Sequence, residues 1–543
     1  MFAHILVVII VAIAISGFAE RRNAQPALVV AVLGLAASFI PGVPALELEP
    51  DIILGIVLPP MLFSAASDFS FGSFIKRLGS IINLGVLMVF ATAIAVAAVA
   101  GFSVPGMTPM AALVLGAVLA PPDAVTAITI GRKAGLPGGL MTVLKGESLI
   151  NDAAALTLFA VAVAATTGTH AFIDNLLLYF LYAATVGVIT GLVMGQIAAF
   201  ARRKLGNPSL ATAVSVILPF AAYLVAEELH ASGVLAVVAA GFAIGHSSAE
   251  SGYEERIQER QFWRTVDTLL ETFVFAYIGL QLRFVITDAD EAGYDLGQLL
   301  LAAGAIFLAT TAIRFAWVFG TALIARWRTR AVLKRFDQRT PPSGRRPPRQ
   351  PATPLTWKEN TVLAWTGMRG VVTLAAAAGV PTLVASGAAF PGREAILTIA
   401  FLVTIATLLI QGSTLPWMIR ALDLSGEEDQ SHAQEQHHLA RAIAQQAMLD
   451  ALDEYRRENP SPAAQRMAEL MAQRNFRFEK AAEEGANLDR EAIADLSSRL
   501  LSARRSKLIA ARDARELDDE VMREMLERMD LEQAFMQARG SKH

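Results

Sequence analysis

About thirteen apolar stretches, most of them near twenty residues long, follow one another along the first 421 residues of this chain. A helix of that length crosses the hydrocarbon core of a bilayer. With 54% hydrophobic and only 17% charged residues, the chain is too apolar for an ordinary soluble protein. We therefore predict an all-α polytopic membrane protein whose spans lie at roughly residues 2–19, 26–43, 51–67, 79–101, 109–131, 139–166, 174–201, 208–229, 231–246, 265–285, 296–326, 357–385 and 393–421.

Positive charge alternates between the loops that join these stretches. Loops after the odd-numbered stretches carry Lys and Arg, and loops after the even-numbered stretches are nearly free of both. Positively charged loops stay in the cytoplasm. The alternation predicts an N-terminus outside and a C-terminus in the cytoplasm, in a plasma or bacterial inner membrane. No basic residue precedes the first stretch, so we expect a retained helix and not a cleaved signal.

The positions of helix-breaking residues suggest an internal duplication. If the seventh stretch is a linker, six stretches lie on each side, and the odd linker inserts the second set with inverted topology. The fifth stretch of the first set is broken by A-P-P-D at 120–123, and its counterpart carries G-M-R-G at 367–370. Matched breaks in inverted repeats mark the ion site of a transporter. We predict that the two breaks lie at the centre of the membrane part and that this centre holds Asp123, Asp152 and Arg369.

A polar segment interrupts the sixth stretch at residues 145–159, with the sequence KGESLINDAAALTLF. On a helix Ser148 lies beside Asp152, and Glu147 lies beside Asn151. An ionised side chain at membrane depth is costly, so Asp152 marks a functional site. We predict that a proton and a cation compete for it, with Ser148 and Asn151 as oxygen ligands. A purely structural, hydrogen-bonded Asp152 is the alternative.

The broken helix at 120–123 is expected to complete the site. Asp123 follows the double proline, where its side chain either faces the cavity or caps the second half-helix. Carbonyl groups freed around Pro122 and the hydroxyl of Thr126 are further oxygen ligands for sodium or another monovalent cation.

Other charged residues within the apolar stretches need partners. Glu147 and Arg369 are expected to form a structural ion pair, because an unpaired arginine in the membrane is expensive. Arg314 also lies mid-span, and the sequence does not identify its partner. Glu271 either faces a cytoplasmic funnel or is stabilised by the dipole at the start of its helix.

After residue 421 the amino-acid composition of the chain changes. Residues 422–543 are charged, low in glycine and rich in Ala, Glu, Arg and Leu. This pattern is typical of surface helices. We predict an antiporter domain at 1–421 and a cytoplasmic helical regulatory tail at 422–543.

Taken together, the motifs resemble the CPA1 branch of monovalent cation/proton antiporters, the sodium/proton exchanger family. G-E-S-L-I-N-D at 146–152 is similar to the family's Asn-Asp signature, and L-P-P at 58–60, the broken helix at 120–125 and G-M-R-G at 367–370 are similar to further motifs. The resemblance covers residues 1–421. It implies a homodimer with a dimerisation domain, a mobile core built around crossed broken helices, and elevator-like alternating access.

The same resemblance assigns roles to individual residues. Asp152 is then the shared proton and cation carboxylate, surrounded by the other predicted ligands, and the Asn before it implies electroneutral exchange. The chain departs from the family at Ser64, where many members carry an acid, and at P-D-A in 122–124, where Thr-Asp-Pro is usual. Sodium, potassium and lithium therefore all remain possible substrates.

The predicted function is a secondary active antiporter that exchanges sodium, or potassium or lithium, for protons and so serves pH homeostasis. We expect no enzymatic activity, no cofactor and no nucleic-acid partner, only cations, protons and membrane lipids. A potassium-selective proton antiporter is the main alternative, a cation channel could reuse the same acids, and a sensor with a signalling tail is a third class. The absence of a Gly-rich Lys-Ser/Thr loop excludes an ATP-driven pump.

Overall fold

A computed structural model describes residues 2–22, 24–41, 53–69, 71–168, 173, 175–337, 355–424, 427–472, 490–514 and 516–540. In these ranges the chain forms helices joined by turns, and an isolated antiparallel β-bridge joins Leu383 and Ala389. The predicted all-α class is confirmed.

The membrane part is a series of helices that follows the predicted apolar stretches. Its α-helices are α1 Phe2–Arg21, α2 Pro26–Ser38, α3 Leu58–Ser67, α4 Phe71–Ile82, α5 Met88–Ser103, α6 Pro109–Leu119, α7 Ala124–Ala134, α8 Gly138–Thr167, α9 Leu176–Leu205, α10 Pro208–Glu228, α11 Gly233–Ser247, α12 Tyr253–Glu291, α13 Leu296–Asp337, α14 Trp357–Trp365, α15 Val371–Ala378, α16 Arg393–Thr407 and α17 Ser413–Ala421. The π-helical turns Ile53–Val57, Asn83–Leu87 and Leu408–Gly412 lead into α3, α5 and α17. By length and composition, 7 helices of the described part are able to cross a membrane.

Two predicted stretches are each divided into a pair of half-helices. Helices α6 and α7 flank the break at 120–123, and α14 and α15 flank the break at 366–370. Proline ends the first half-helix because it lacks an N–H donor and its ring clashes with the preceding turn. The backbone N–H of Asp123 donates to the carbonyl of Met368 at 2.6 Å. The two breaks therefore cross, as predicted.

The helices pack into two groups. The core group, α4–α8 and α13–α17, surrounds apolar clusters in which Leu115 and Leu144 are buried. The scaffold group, α1–α3 and α9–α12, surrounds clusters containing Phe63 and Phe275 and meets the core group through α8, α15 and α16. In the scaffold group α2 and α12 approach at Gly279, where a Cβ atom would overlap the backbone of Ala31.

Helix α12 runs for 39 residues along the scaffold group. Glu271 lies 18 residues after Tyr253, the first residue of α12. The interpretation of Glu271 as a first-turn acid is therefore wrong. Hydropathy missed the start of α12 because its first turns are charged.

The tail forms four described helices, α18 Glu427–Glu458, α19 Pro462–Ala472, α20 Arg490–Asp513 and α21 Asp519–Gly540. Their apolar faces enclose Ala440, Leu508, Met522 and Met529, and Ala249, in the short 3-10 helix that follows α11, joins this cluster. The tail thus packs on one end of the scaffold group.

Polar contacts anchor α21 to the scaffold group. The Arg523 guanidinium donates to the carbonyls of Ser67 at 3.0 Å, Phe69 at 3.3 Å and Gly245 at 3.4 Å. These carbonyls lie at the ends of α3 and α11, where helix carbonyls need partners from outside the helix, and that of Gly245 also accepts a hydrogen bond from Ser248 Oγ at 2.8 Å. Arg523 therefore caps two scaffold helices at once.

A buried carboxylate reinforces this anchor. Asp530 of α21 accepts hydrogen bonds from Arg256 of α12, one of them at 2.7 Å, and from Arg505 of α20 at 3.0 Å. Burial and the neighbouring Arg256 lower the pKa of Arg505, and Asp530 partly offsets that effect. Two guanidinium groups thus share one carboxylate between tail and membrane part.

Candidate cation site at the crossed half-helices

The crossing point places Asp123 against the second break. A Cβ atom at Gly370 would overlap the Asp123 carboxylate, so only glycine leaves room for this side chain. The backbone of Gly370 is extended, with φ −147° and ψ −140°. Space, not an unusual φ, is what requires glycine here.

Helix α8 presents Asn151 and Asp152 to the first break. Asn151 is 0% exposed and Asp152 is 6% exposed. The Asn151 amide donates from Nδ2 to the carbonyl of Pro122 at 2.8 Å. Asp123 is close enough to Asp152 to act on its charge. The structure therefore brings together Asp123, Asn151, Asp152 and the Pro122 carbonyl.

The Asn151 side chain has an unusual feature. Its Oδ1 atom is buried and has no hydrogen-bond partner among the described residues. Most buried polar atoms in proteins have a partner. Because Nδ2 is held by Pro122, the amide cannot rotate to satisfy Oδ1 without losing that bond. Oδ1 is therefore available to a ligand.

The remaining predicted ligands are less well placed by the structure. Ser148 lies on α8 one turn before Asp152 and is half-buried. The carbonyl of Pro122 already accepts one hydrogen bond, which leaves it one lone pair. Thr126 lies on α7, but its side chain is outside the described part of the structure.

The predicted ion pair between Glu147 and Arg369 needs correction. The Glu147 carboxylate accepts hydrogen bonds from Arg314 of α13, from Nη1 at 2.5 Å and from Nη2 at 3.1 Å. Arg314 also donates from Nε to the carbonyl of Leu363 at 3.1 Å. The two-pronged guanidinium matches the carboxylate geometry. Arg314 is thus the partner of Glu147.

Arg369 instead donates hydrogen bonds to carbonyl groups at the ends of two half-helices. It is 2% exposed and donates from Nε to the carbonyl of Leu119 at 3.0 Å and from Nη1 to the carbonyl of Gly367. Its backbone N–H donates to Thr407 Oγ1 at 3.0 Å. Leu119 is the last residue of α6, where the helix dipole is negative. Arg369 therefore compensates the facing ends of α6 and α14.

Sequence reasoning named Glu271 but missed Asp267, the second acid of this part of α12. Ser64 of α3 donates its hydroxyl to Asp267 Oδ2 at 2.6 Å. Glu271 lies one turn further along α12, within the electrostatic range of Asp123 and Asp267. The spacing of four residues between the two acids was visible in the sequence, but Asp267 lay near the start of the predicted span 265–285 and was not singled out.

The arrangement offers oxygen atoms only. Carboxylates, an amide oxygen and a carbonyl suit a hard cation, and no sulfur or imidazole ligand lies among the assembled residues. A buried carboxylate is stable either protonated or beside a cation. The crossed helices are thus suited to hold one or the other.

Residues 5–421 match the profile of the family described as sodium/hydrogen exchanger, transmembrane. The chain belongs to this sodium/hydrogen exchanger family. The match ends at the last residue of α17. The family predicted from the motifs is therefore confirmed, and the chain is a multi-pass membrane protein.

Individual relatives of this exchanger extend the comparison. It is 30% identical to an uncharacterised Na+/H+ exchanger of Mycobacterium tuberculosis over 98% of this chain and 96% of that protein. It is 28% identical to the Na+/H+ antiporter ApNhaP of Aphanothece halophytica, over 75% of this chain and 72% of that protein. The former similarity includes the tail.

A solved structure shares the fold of this exchanger. The sodium proton antiporter MjNhaP1 from Methanocaldococcus jannaschii at pH 8 superimposes with a TM-score of 0.58 and 18% identity, covering 78% of this chain and 99% of that one. The predicted membrane-antiporter fold is confirmed.

Proposed function

We propose that this protein is a secondary active antiporter that exchanges sodium for protons across a cell membrane. The observation that carries the proposal is the pair formed by Asp152 and Asn151. Both are buried at the crossing of two broken helices, and the Asn151 Oδ1 atom has no partner among the described residues. Family membership supports the same activity.

Competition for one carboxylate explains the exchange. A proton on Asp152 neutralises the buried charge on one side of the membrane, and a cation held by Asp152, Asn151 and Asp123 replaces it on the other. One positive charge replaces another, so each cycle moves no net charge. Asn151 contributes a neutral oxygen where a second carboxylate would have bound a further proton.

Alternating access follows from the two packing groups. The core group contains the crossed half-helices, and the scaffold group contacts them through one face. We propose that the core group moves against the scaffold groups of a homodimer. The alternation of loop charge supports an orientation with the N-terminus outside and the tail in the cytoplasm.

The tail joins these two groups. The last core helix, α17, leads into the tail, and α21 is anchored on scaffold helices by Arg523 and Asp530. A tail held in this way acts as a strap that restrains the core group. We propose that residues 422–543 slow transport until the strap is released.

Proteoliposomes with an internal pH dye test the proposed function. Sodium, potassium and lithium are added in turn, with and without a clamped membrane potential. We expect sodium to drive a proton flux whose rate does not depend on the membrane potential. We expect this flux to be lost in Asp152→Asn, which keeps the shape of the side chain. A flux driven only by potassium would replace sodium by the alternative substrate. A current without coupled protons would indicate a channel, and normal exchange by Asp152→Asn would contradict the site.

A further inference from the structure

A cavity of about 390 Å³ lies at the tail-facing ends of four scaffold helices. Its walls come from the last turns of α9, the loop that leads into α10, the end of α11 and the first turn of α12. This volume is in the range of small-ligand sites in proteins. The cavity shares no lining residue with the crossed half-helices, so the exchange cycle does not account for it.

The lining of the cavity carries both signs of charge. Helix α9 contributes the guanidinium groups of Arg202 and Arg203, and α12 contributes the carboxylates of Glu254 and Glu255. Arg202 is 5% exposed and lies 2.6 Å from both Glu255 and Glu259. One buried guanidinium is therefore shared by two carboxylates, and this trio has a net negative charge.

The other two charged groups of the lining are exposed and mark the opening of the cavity. They are Arg203 and Glu254. The planar fork of a guanidinium matches the oxygens of a phosphate. Glu254 accepts the hydroxyl of Tyr253 at 2.7 Å, and a carboxylate has about four acceptor sites, so it is still able to accept from a cationic donor. The opening thus presents one group suited to an anion and one suited to a cation.

Backbone donors add to the positive side of the opening. Helix α12 begins at Tyr253, and its N-cap residue Gly252 has no side chain to accept from the first turn. The N–H groups of a first helical turn carry partial positive charge and favour an anion. They supplement the guanidinium of Arg203, which lines the same cavity.

The apolar face of α9 leads to this opening. Ile189, Val193, Ile197 and Phe200 are each 50% exposed or more, and their spacing places them on one face of the helix. An exposed apolar face of this kind on a membrane-spanning helix contacts lipid chains. Arg203 follows Phe200 by three residues and continues the face. A lipid whose chains lie along α9 therefore presents its headgroup to the cavity.

The balance of charge distinguishes between classes of headgroup. A headgroup with negative charge only would meet the carboxylate of Glu254 and the net negative trio around Arg202. Phosphoethanolamine joins one phosphate charge to one primary ammonium through a short linker, so it is able to contact Arg203 and Glu254 at the same time. Its ammonium has three N–H donors, whereas the quaternary ammonium of choline has none.

We propose that this cavity binds the phosphoethanolamine headgroup of a membrane lipid, with the phosphate on Arg203 and the ammonium on Glu254. Arg202 holds the wall of the cavity through its two carboxylates, and the lipid chains lie along α9. The site is separate from Asp152, so a binding measurement tests it without a transport assay.

Native mass spectrometry of the full chain in detergent gives the apparent Kd for one added lipid at a time. We expect dioleoylphosphatidylethanolamine to bind about tenfold more tightly than dioleoylphosphatidylglycerol, which lacks the ammonium, or dioleoylphosphatidylcholine, whose ammonium has no donor. Glycerophosphoethanolamine has the same headgroup without chains. It should bind at least about tenfold more weakly than the lipid, because it loses the apolar contact with α9.

Single substitutions test the two proposed contacts. Arg203→Gln and Glu254→Gln should each raise the Kd for phosphatidylethanolamine about tenfold, because each removes one charge-assisted hydrogen bond. Glu254→Gln should not weaken the binding of phosphatidylglycerol. Lys204→Gln is the matched control, since Lys204 is the next residue, is exposed, lies 4.7 Å from the centre of the Phe200 ring and does not line the cavity. We expect it to change the Kd less than about twofold.

Each of three results would overturn the inference. Equal effects of Arg203→Gln and Lys204→Gln would mean that the basic surface attracts lipid without a specific site. Binding of phosphatidylglycerol or phosphatidylcholine as tight as that of phosphatidylethanolamine, or an unchanged Kd in Glu254→Gln, would exclude recognition of the ammonium. Binding of glycerophosphoethanolamine as tight as that of the lipid would mean that the ligand is a soluble phosphoester. Monodisperse elution in detergent shows that each variant is folded before its Kd is compared.

Discussion

Glu147 of α8 and Arg314 of α13 form a buried salt bridge with an N–O distance of 2.5 Å. The side chains are 2% and 4% exposed. The contact fixes the rotation of α8 about its axis, and Asn151 lies one turn further along that helix. The ion pair therefore orients the residues that face the first break, although it does not touch the cation site.

Removal of either partner should destabilise the protein. We expect Glu147→Gln and Arg314→Gln each to lower the free energy of unfolding by about 3 kcal/mol, because each leaves a buried charge alone. The double variant should lose less than the sum of the two. Unfolding in detergent, followed as a double-mutant cycle, measures the coupling.

A second double-mutant cycle tests which of the two arginines is the direct partner of Glu147. Glu147→Gln combined with Arg369→Gln should show a smaller coupling than the cycle with Arg314, because Arg369 binds carbonyl groups and feels Glu147 only at a distance. Equal couplings would contradict the assignment of Arg314 as the direct partner.

Asn151 should be needed for cation binding. Asn151→Ala removes the buried Oδ1 and the hydrogen bond to Pro122, so we expect the KM for the cation to rise by about tenfold, the worth of one charge-assisted contact. Thr157→Ala on the same helix is the control, since Thr157 bonds only to the backbone of Ala153. Concentration series of sodium-driven proton flux give both values, and equal KM shifts would argue against a ligand role.

Gly370 should not tolerate a side chain. In Gly370→Ala the new Cβ must displace the Asp123 carboxylate, and we expect proton flux to fall by about tenfold or more. Gly304→Ala is matched to it, because a Cβ there meets no atom within 4 Å. Undiminished flux in Gly370→Ala would mean that the position of Asp123 does not matter.

The tail strap can be loosened by one substitution. Asp530→Asn leaves Arg256 and Arg505 without their shared carboxylate, and we expect tail docking to weaken by about 3 kcal/mol. Protease should then cut the tail sooner, and the transport rate should rise. Asp495→Asn, which disrupts an exposed pair with Arg499, should change neither measurement. A faster cut with an unchanged or lower rate would contradict restraint by the tail.

The residue types along the chain predicted many of its helices and the positions of their breaks. Apolar length specifies helices in a bilayer, two adjacent prolines at 121–122 remove the backbone donors that would continue α6, and a carboxylate amid apolar residues stands out by its cost. The breaks at 120–123 and 367–370 and the helical tail therefore followed from the residues alone, and the role of Asp152 stays a prediction.

The sequence alone did not predict which charged residues pair across helices. Glu147, Arg314 and Arg369 all lie within apolar stretches, and only the rotation of α8 and α13 decides that the first two meet while Arg369 turns to the carbonyls of Leu119 and Gly367.

The contacts of the acids of α12 and of the tail could not be predicted from the sequence either. Nothing in the sequence singled out Asp267, because only the packing of α3 places Ser64 against it. Pairing of this kind depends on long-range packing, which periodicity within one helix cannot encode. The sequence by itself determined which segments form apolar helices and where they break, and the tertiary structure alone decided which charges face each other.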